Sequence, residues 1–303
     1  MIQFWAWPGH GSRTKSTQWT AWRDRSRSAL KAFVVLISVA VFVTGATGHG
    51  DRNEHLAHLD AEIAADPDSV PLLIERSAAH RRLGHYEASL ADLDRVLAIA
   101  PDNHQVYFLR GLTHFHSGKP ADAETALRRY LQAVPDSPAG RIALAETLAE
   151  QGHHLAAADE YTVAIGAQPT PVPDHYLARA KAYRAAGKAY LVLALEGLDE
   201  GMSTIGPLVT LQRLAVGIEL DRDNPAGAIA RIDEVLAKAP RKETWLVQRG
   251  RILASIGRES EALDAFRLAR AAMSSLPSRV RSSPAMKALR ETISAHLDKD
   301  TSP

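Results

Sequence analysis

From Pro67 to Pro101 the chain reads PDSVPLLIERSAAHRRLGHYEASLADLDRVLAIAP: two alanine- and leucine-rich stretches meet at Gly84, and a proline closes the second. The closing proline returns on a fixed beat. Prolines 67, 101, 135 and 169 lie 34 residues apart, and Gly84, Gly118 and Gly152 fall midway, 17 residues from each neighbour. A single globular core demands no such rhythm, whereas a stack of identical helix–turn–helix units does. Glycine serves the tight turn between two helices. Proline ends the second helix because its ring cannot continue the hydrogen-bond ladder.

Of the 303 residues, 46% are hydrophobic, enough for a substantial core, and only 6% are aromatic, which suits closely packed helices. Cysteine is absent. Disulfides, thiolate metal sites, cysteine nucleophiles and the acylated cysteine of a lipoprotein are thereby excluded. The net charge of +1 averages two unlike parts. Residues 1–31 hold six basic groups (Arg13, Lys15, Arg23, Arg25, Arg27, Lys31) against Asp24, leaving 30 basic and 34 acidic residues, or −4, for the remainder. A net negative body lacks the basic stripe that nucleic acid requires.

Lys31 precedes an apolar run, Ala32 to Val43, broken only by Ser38 and followed by Thr44-Gly45-Ala46-Thr47-Gly48. Basic flank, apolar segment and small residues are the order of a secretory signal peptide over 30–48, with cleavage after Ala46 or Gly48. The expected location is then periplasmic or secreted. The alternative is a retained inner-membrane anchor over 30–47, since the run from Leu30 to Thr47 approaches the length that spans a bilayer. Residues 1–29 fit neither reading. They crowd Trp5, Trp7, Trp19 and Trp22 together without periodicity, and we expect translation to begin at Leu30.

The repeats carry more than punctuation. Residues 70–103 contain Gly84, Tyr86 and Pro101; 104–137 contain Tyr107, Gly111, Gly118, Ala123, Leu127, Tyr130 and Pro135; 138–171 contain Ala145, Gly152, Ala157, Tyr161, Ala164 and Pro169. This succession resembles the tetratricopeptide repeat family, which places small residues where its two helices cross. The register slips by three after Pro169. A fourth unit near 173–206 keeps Tyr176, Ala180, Tyr183 and Gly187, then departs at Val192, Glu196 and Asp199 and ends in an expected Gly201–Pro207 loop. A fifth, near 209–242, has Asp223 at the turn and Val216 at the close approach, which puts its crossing in doubt. A sixth, 243–276, returns to form with Gly250, Gly257, Ala262, Phe266 and Ala269. The resemblance implies an all-α, right-handed superhelical solenoid of about six units over 70–276.

The ends complete this organisation. Within 51–69, His55–Asp66 reads as a second helix without its first. Within 279–303, Ala285–Leu297 places Met286, Leu289, Ile293 and Leu297 on one helical face, a capping helix for the apolar end of a solenoid.

Thirteen histidines call for a test of metal binding. Asp51, Glu54, His55 and His58 form the best cluster, but no third ligand is set by spacing, so no metal and no cofactor is expected. His80 and His114 occupy equivalent first-helix positions and read as packing residues, and His153-His154 as exposed. Arg76, Arg110, Arg179 and Arg249 recur just before the small crossing residue and predict a repeated ion pair with a neighbouring helix, such as Arg76 with Asp92. Asp92, Asp94, Asp122 and Glu124 read as solvent-facing. Nucleophile-elbow and dinucleotide-binding motifs are missing, and Ser117-Gly118-Lys119-Pro120 has its preceding glycine at the wrong distance for a phosphate loop. No enzymatic activity is expected.

In the family it resembles, the first helix of each unit lines a concave face that grips peptides or partner helices. Carried onto this chain, that face comprises Ile74, Arg81, Arg82, Phe108, Phe115, His116, Ile142, Lys181, Arg184, Arg213, Val247 and Arg251. Bases outnumber the acids Glu146 and Glu150 along it, which suits an acidic or carboxylate-bearing protein or peptide, with Phe108 and Phe115 as apolar anchors. The asparagine-and-lysine arrangement that clamps a chaperone's terminal carboxylate in some relatives is not reproduced. The expected function is an exported binding scaffold. The alternatives are an accessory subunit of an envelope enzyme complex and a histidine-rich metal-handling protein.

Overall fold

The computed structural model describes residues 50–298, and the compact unit within it starts at Glu54. The expectations for residues 1–29 and 30–48 lie outside the described residues, as does the side chain of Asp51. Among the described residues all regular structure is helical, and no strand occurs. A leading helix, α1 (Gly50–Ala65), precedes six helix pairs: α2 (Val70–Arg82) with α3 (Tyr86–Ile99), α4 (Gln105–His116) with α5 (Pro120–Ala133), and α6 (Pro138–Glu150) with α7 (His154–Ala167). Then come α8 (Pro173–Ala186) with α9 (Leu191–Ile205), α10 (Val209–Asp221) with α11 (Pro225–Lys238), and α12 (Glu243–Ser255) with α13 (Glu259–Ser274). The short α14 (Ser278–Arg281) and α15 (Pro284–Leu297) close the fold. Among these helices none is long and apolar enough to cross a membrane.

The punctuation acts as its chemistry requires. Helices α1, α3, α5, α7, α9 and α11 end at Ala65, Ile99, Ala133, Ala167, Ile205 and Lys238, each two residues before a proline. The residue ahead of a proline is pushed out of helical conformation, so the helix stops there. Between paired helices Gly84 turns with φ +79°, a left-handed conformation that costs an L-residue about 1–2 kcal/mol. In the fifth pair Asp223 takes the same turn at φ +58°, a conformation that aspartate adopts more readily than most side chains.

Crossings depend on small residues for a stated reason. A Cβ on Gly111 of α4 would lie 2.5 Å from Leu127 Cγ, and one on Gly250 of α12 would lie 2.9 Å from the Phe266 ring. Val216 fills the corresponding place in α10 and is fully buried against Ala228 and Ile232, so the fifth crossing closes around a larger side chain. The expected Gly201–Pro207 loop is corrected. Helix α9 continues through Ile205, and Gly201 is a packing site, because a Cβ there would meet Tyr176 Cγ of α8 at 2.9 Å.

No pair encloses a core by itself. Ile63 of α1, Leu73 of α2, Leu93 and Val96 of α3 and Val106 of α4 form one buried cluster spanning three units. Full burial of each such side chain contributes about 1.5–3 kcal/mol, and most of it depends on the neighbouring hairpin. At the far end Met286, Ile293 and Leu297 of α15 are buried in the cluster that holds Phe266 and Met273, with Leu289 packed against it. The His296 ring lies 4.3 Å from the Phe266 ring, centre to centre.

Candidate partner-binding face

The six first helices α2, α4, α6, α8, α10 and α12 present equivalent positions, and α2 touches α4, α4 touches α6, and α8 touches α10. Ile74, Phe108 and Ile142 are half-buried at one such position, with Phe108 packed 5.2 Å from the Tyr130 ring. Val247, at the same position of α12, is 1% exposed and belongs to the core that runs into α15, so it lines no surface. Phe115 is half-buried, edge-on to the exposed His116 ring at 5.7 Å.

The cations of this face fall into two groups. Arg184 donates to Asp221 at 2.5 Å, Arg251 donates to Thr292 Oγ1 of α15 at 3.0 Å, and Arg213 lies 5.9 Å from the Trp245 ring centre. The side chains of Arg81, Arg82 and Lys181 make no ion pair or hydrogen bond among the described residues. Burial and the neighbouring charge of Arg82 hold the Arg81 guanidinium below its ordinary value.

Glu146 occupies, on α6, the position that Lys181 and Arg251 hold on α8 and α12. It is solvent-exposed and makes no ion pair, yet burial raises its carboxyl above the usual range, tempered by His175 and His116. Tyr161 of α7 lies within reach of its charge, and burial with that charge pushes the phenol up to about 12. The sequence marks Glu146 as an acid on this face. Its setting among His116, His175 and Tyr161 needs three helices to be placed at once.

Away from the face, the recurring arginines make the expected pairs. Arg76 reaches Asp60 at 2.8 Å, Arg110 reaches Asp94 at 2.5 Å and Arg249 reaches Asp233 at 2.7 Å, each partner lying 16 residues earlier on the preceding helix. Arg76 also holds Asp92, and Arg179 reaches Glu200 at 2.5 Å. Asp92 is 3% exposed, which corrects its solvent-facing reading: the bound guanidinium lets a carboxylate sit in the core. His80 and His114 each bury an Nδ1 atom without a hydrogen-bond partner, and burial lowers both imidazoles. His55 pairs with Glu75 at 3.5 Å and His58 with Glu62 at 3.3 Å, so the two imidazoles engage separate carboxylates. No group of three metal-ligating side chains occurs among the described residues.

Residues 75–138 and 218–276 match a tetratricopeptide repeat family model. No curated protein sequence matches the chain significantly. Among solved structures, the fold is similar to the C-terminal part of a TPR repeat-containing protein from Cytophaga hutchinsonii, with TM-score 0.60 and 14% identity over 76% of this chain and 93% of that one. It is also similar to PilW, a type IV pilus biogenesis factor, with TM-score 0.51 and 18% identity over 63% and 87% of the two chains. A third likeness is to Naa15/Naa10 bound to HypK-THB, with TM-score 0.51 and 15% identity over 82% and 37%. At these identities the likeness is one of fold. Hairpins joined at small-residue crossings agree with the two matched segments, and the chain carries tetratricopeptide repeats there.

Proposed function

We propose that this chain is an exported, non-catalytic scaffold whose first-helix face holds an acidic segment of a protein or peptide partner. The tetratricopeptide fold is a protein-binding architecture, and stacked hairpins offer an extended surface that no single unit could present. One observation carries the charge preference: Arg81, Arg82 and Lys181 stand on that face without ion pairs, although the chain beyond its leader is net −4. Arg184 contributes less, being held by Asp221. Export rests on residues 30–48, with their basic flank, apolar run and small residues.

Two measurements test the reading. A labelled oligoglutamate peptide is titrated against the full chain and against a variant carrying Arg81→Glu, Arg82→Glu and Lys181→Glu. The expected result is at least a ten-fold loss of affinity, with salt weakening the parent complex; unchanged binding rejects the face. Mass spectrometry of the fractionated protein addresses export. A mature chain starting at Thr47 or His49 supports cleavage, whereas a membrane-bound chain retaining residues 30–47 supports the anchor.

A further inference from the structure

One position recurs near the start of each first helix, 34 to 36 residues apart: Leu73, Tyr107, Arg141, Tyr176, Gln212 and Leu246. Five of the six are satisfied within the fold. Leu73 and Leu246 are buried, and Tyr107 carries the Arg129 guanidinium 4.1 Å from its ring centre. Arg141 crosses to Glu160 at 2.8 Å, and the cleft left beside that pair holds about 270 Å³. Tyr176 is buried in a cluster with Ile165 of α7 and Leu198 of α9, and its ring is what a Cβ on Gly201 would strike. Gln212 breaks the series. It is half-buried, and its amide makes no hydrogen bond among the described residues.

Beside Gln212 lies a cavity of about 510 Å³, walled by α9 and α11, the two second helices that flank α10. One pair earlier, Tyr176 fills the corresponding place between α7 and α9. Pockets of about 300–1,000 Å³ are the size that takes a ligand group. Met202, Pro207, Val209, Val235 and Pro240 form the apolar part of the lining. The charges in it cancel. Arg231 gives Nη1 and Nη2 to Asp199 at 2.7 and 2.9 Å and Nε to Glu219 at 3.2 Å. Glu234 and Lys238, one turn apart on α11, carry opposite signs. The polar groups left unspent are neutral: the Gln212 amide and the Ser203 hydroxyl make no hydrogen bond among the described residues.

We propose that this cavity docks an aromatic side chain of a protein partner, tyrosine above all, on the second-helix side of the stack. The incoming ring takes the place that Tyr176 fills from within one pair earlier. The Met202 thioether is a favourable neighbour for a ring, and a phenol hydroxyl finds partners in the Gln212 amide and the Ser203 hydroxyl. A charged side chain inserted there would lose its water and meet a set of charges already balanced. The site is separate from the first-helix face. Its walls are second helices, and it stands whether or not that face holds an acidic segment.

Carbon-13 NMR of the methionine methyl groups in the full chain tests the site. Met202 lines the cavity, while Met273 and Met286 are buried in the cluster that joins α13 to α15. The probes are short capped serine peptides with tyrosine, leucine or glutamate at the centre. The tyrosine peptide should shift the Met202 signal and leave Met273 and Met286 in place. It should bind about five-fold tighter than the leucine peptide, and the glutamate peptide should give no shift. Gln212→Tyr fills the cavity from within and should abolish the response. Val209→Asp, at a site 53% exposed, should weaken it several-fold. Unchanged Met273 and Met286 signals show that both variants keep the fold. An unmoved Met202 signal, leucine binding as tightly as tyrosine, or a tyrosine response that survives both variants overturns the site.

Discussion

Arg76 on α2 donates Nε and Nη2 to the two carboxylate oxygens of Asp92 on α3, at 2.9 and 2.5 Å, and spends Nη1 on Asp60 of α1. One guanidinium thus ties three helices and neutralises a carboxylate that is 3% exposed. Removing one partner of a buried pair leaves the other charged and unsolvated, at about 3–5 kcal/mol. Arg76→Met is expected to lose that much in urea denaturation, and Arg76→Met with Asp92→Leu to recover most of it. A single-variant loss under about 1 kcal/mol would contradict this, since that is the range of exposed pairs.

Arg110 and Asp94 supply the matching control. Their geometry repeats that of Arg76 and Asp60, with a 2.5 Å contact across 16 residues, and Asp94 is 62% exposed where Asp92 is buried. Asp94→Ala should therefore cost no more than about 1 kcal/mol in the same assay. A loss equal to that of Arg76→Met would mean that burial does not separate the two pairs.

Two kinds of helical glycine should respond in opposite directions. At Gly111 a new Cβ would lie 2.5 Å from Leu127 Cγ, while at Gly217 of α10 it would meet nothing within 4 Å. Gly111→Val forces Leu127 out of place and should cost about 1–3 kcal/mol. Gly217→Ala only reduces backbone freedom and should gain about 0.5–1 kcal/mol. Thermal melts of both variants check the pair, and destabilisation by Gly217→Ala would show that the space there is filled.

The hairpin stack was legible because its requirements are local: a left-handed turn at Gly84, a proline two residues past the second helix of each of the first five pairs, a small residue at Gly111. Departures arise where one residue type serves two ends. Gly201 reads as a chain breaker and is instead the seat of Tyr176. Asp92 reads as surface until Arg76 is placed beside it. The equivalent positions of the first helices were legible, but not the charge pattern on them, because spacing does not say which ions pair. Arg184 is spent on Asp221, 37 residues away, and Val247 is drawn into the core beside α15.

His80 and His114 make stability depend on pH with a definite sign. Burial lowers both imidazoles in the fold, and each buries an Nδ1 without a partner. In the unfolded chain they titrate near about 6.5. Above that pH both states are neutral and the histidines contribute no dependence. As pH falls through it, the unfolded chain takes up protons first, so stability declines until the folded imidazoles also protonate. His80→Phe with His114→Phe should shrink the fall in melting temperature between about pH 7.5 and 5.5. An undiminished fall would assign it to other groups.

Helix α15 should behave as a part of the core and not as a tail. Its Ile293 is 1% exposed and shares a cluster with Phe266, Ala269 and Met273 of α13, the last helix of the six pairs. A charge at that point cannot reach water without lifting the helix away, which uncovers the Phe266 ring against which His296 packs. Ile293→Asp is therefore expected to lower the melting temperature and raise binding of a hydrophobic dye in the folded baseline. Lys287→Asp, on an exposed site of the same helix, should do neither. Equal behaviour of the two variants would show that α15 covers nothing the sixth pair needs.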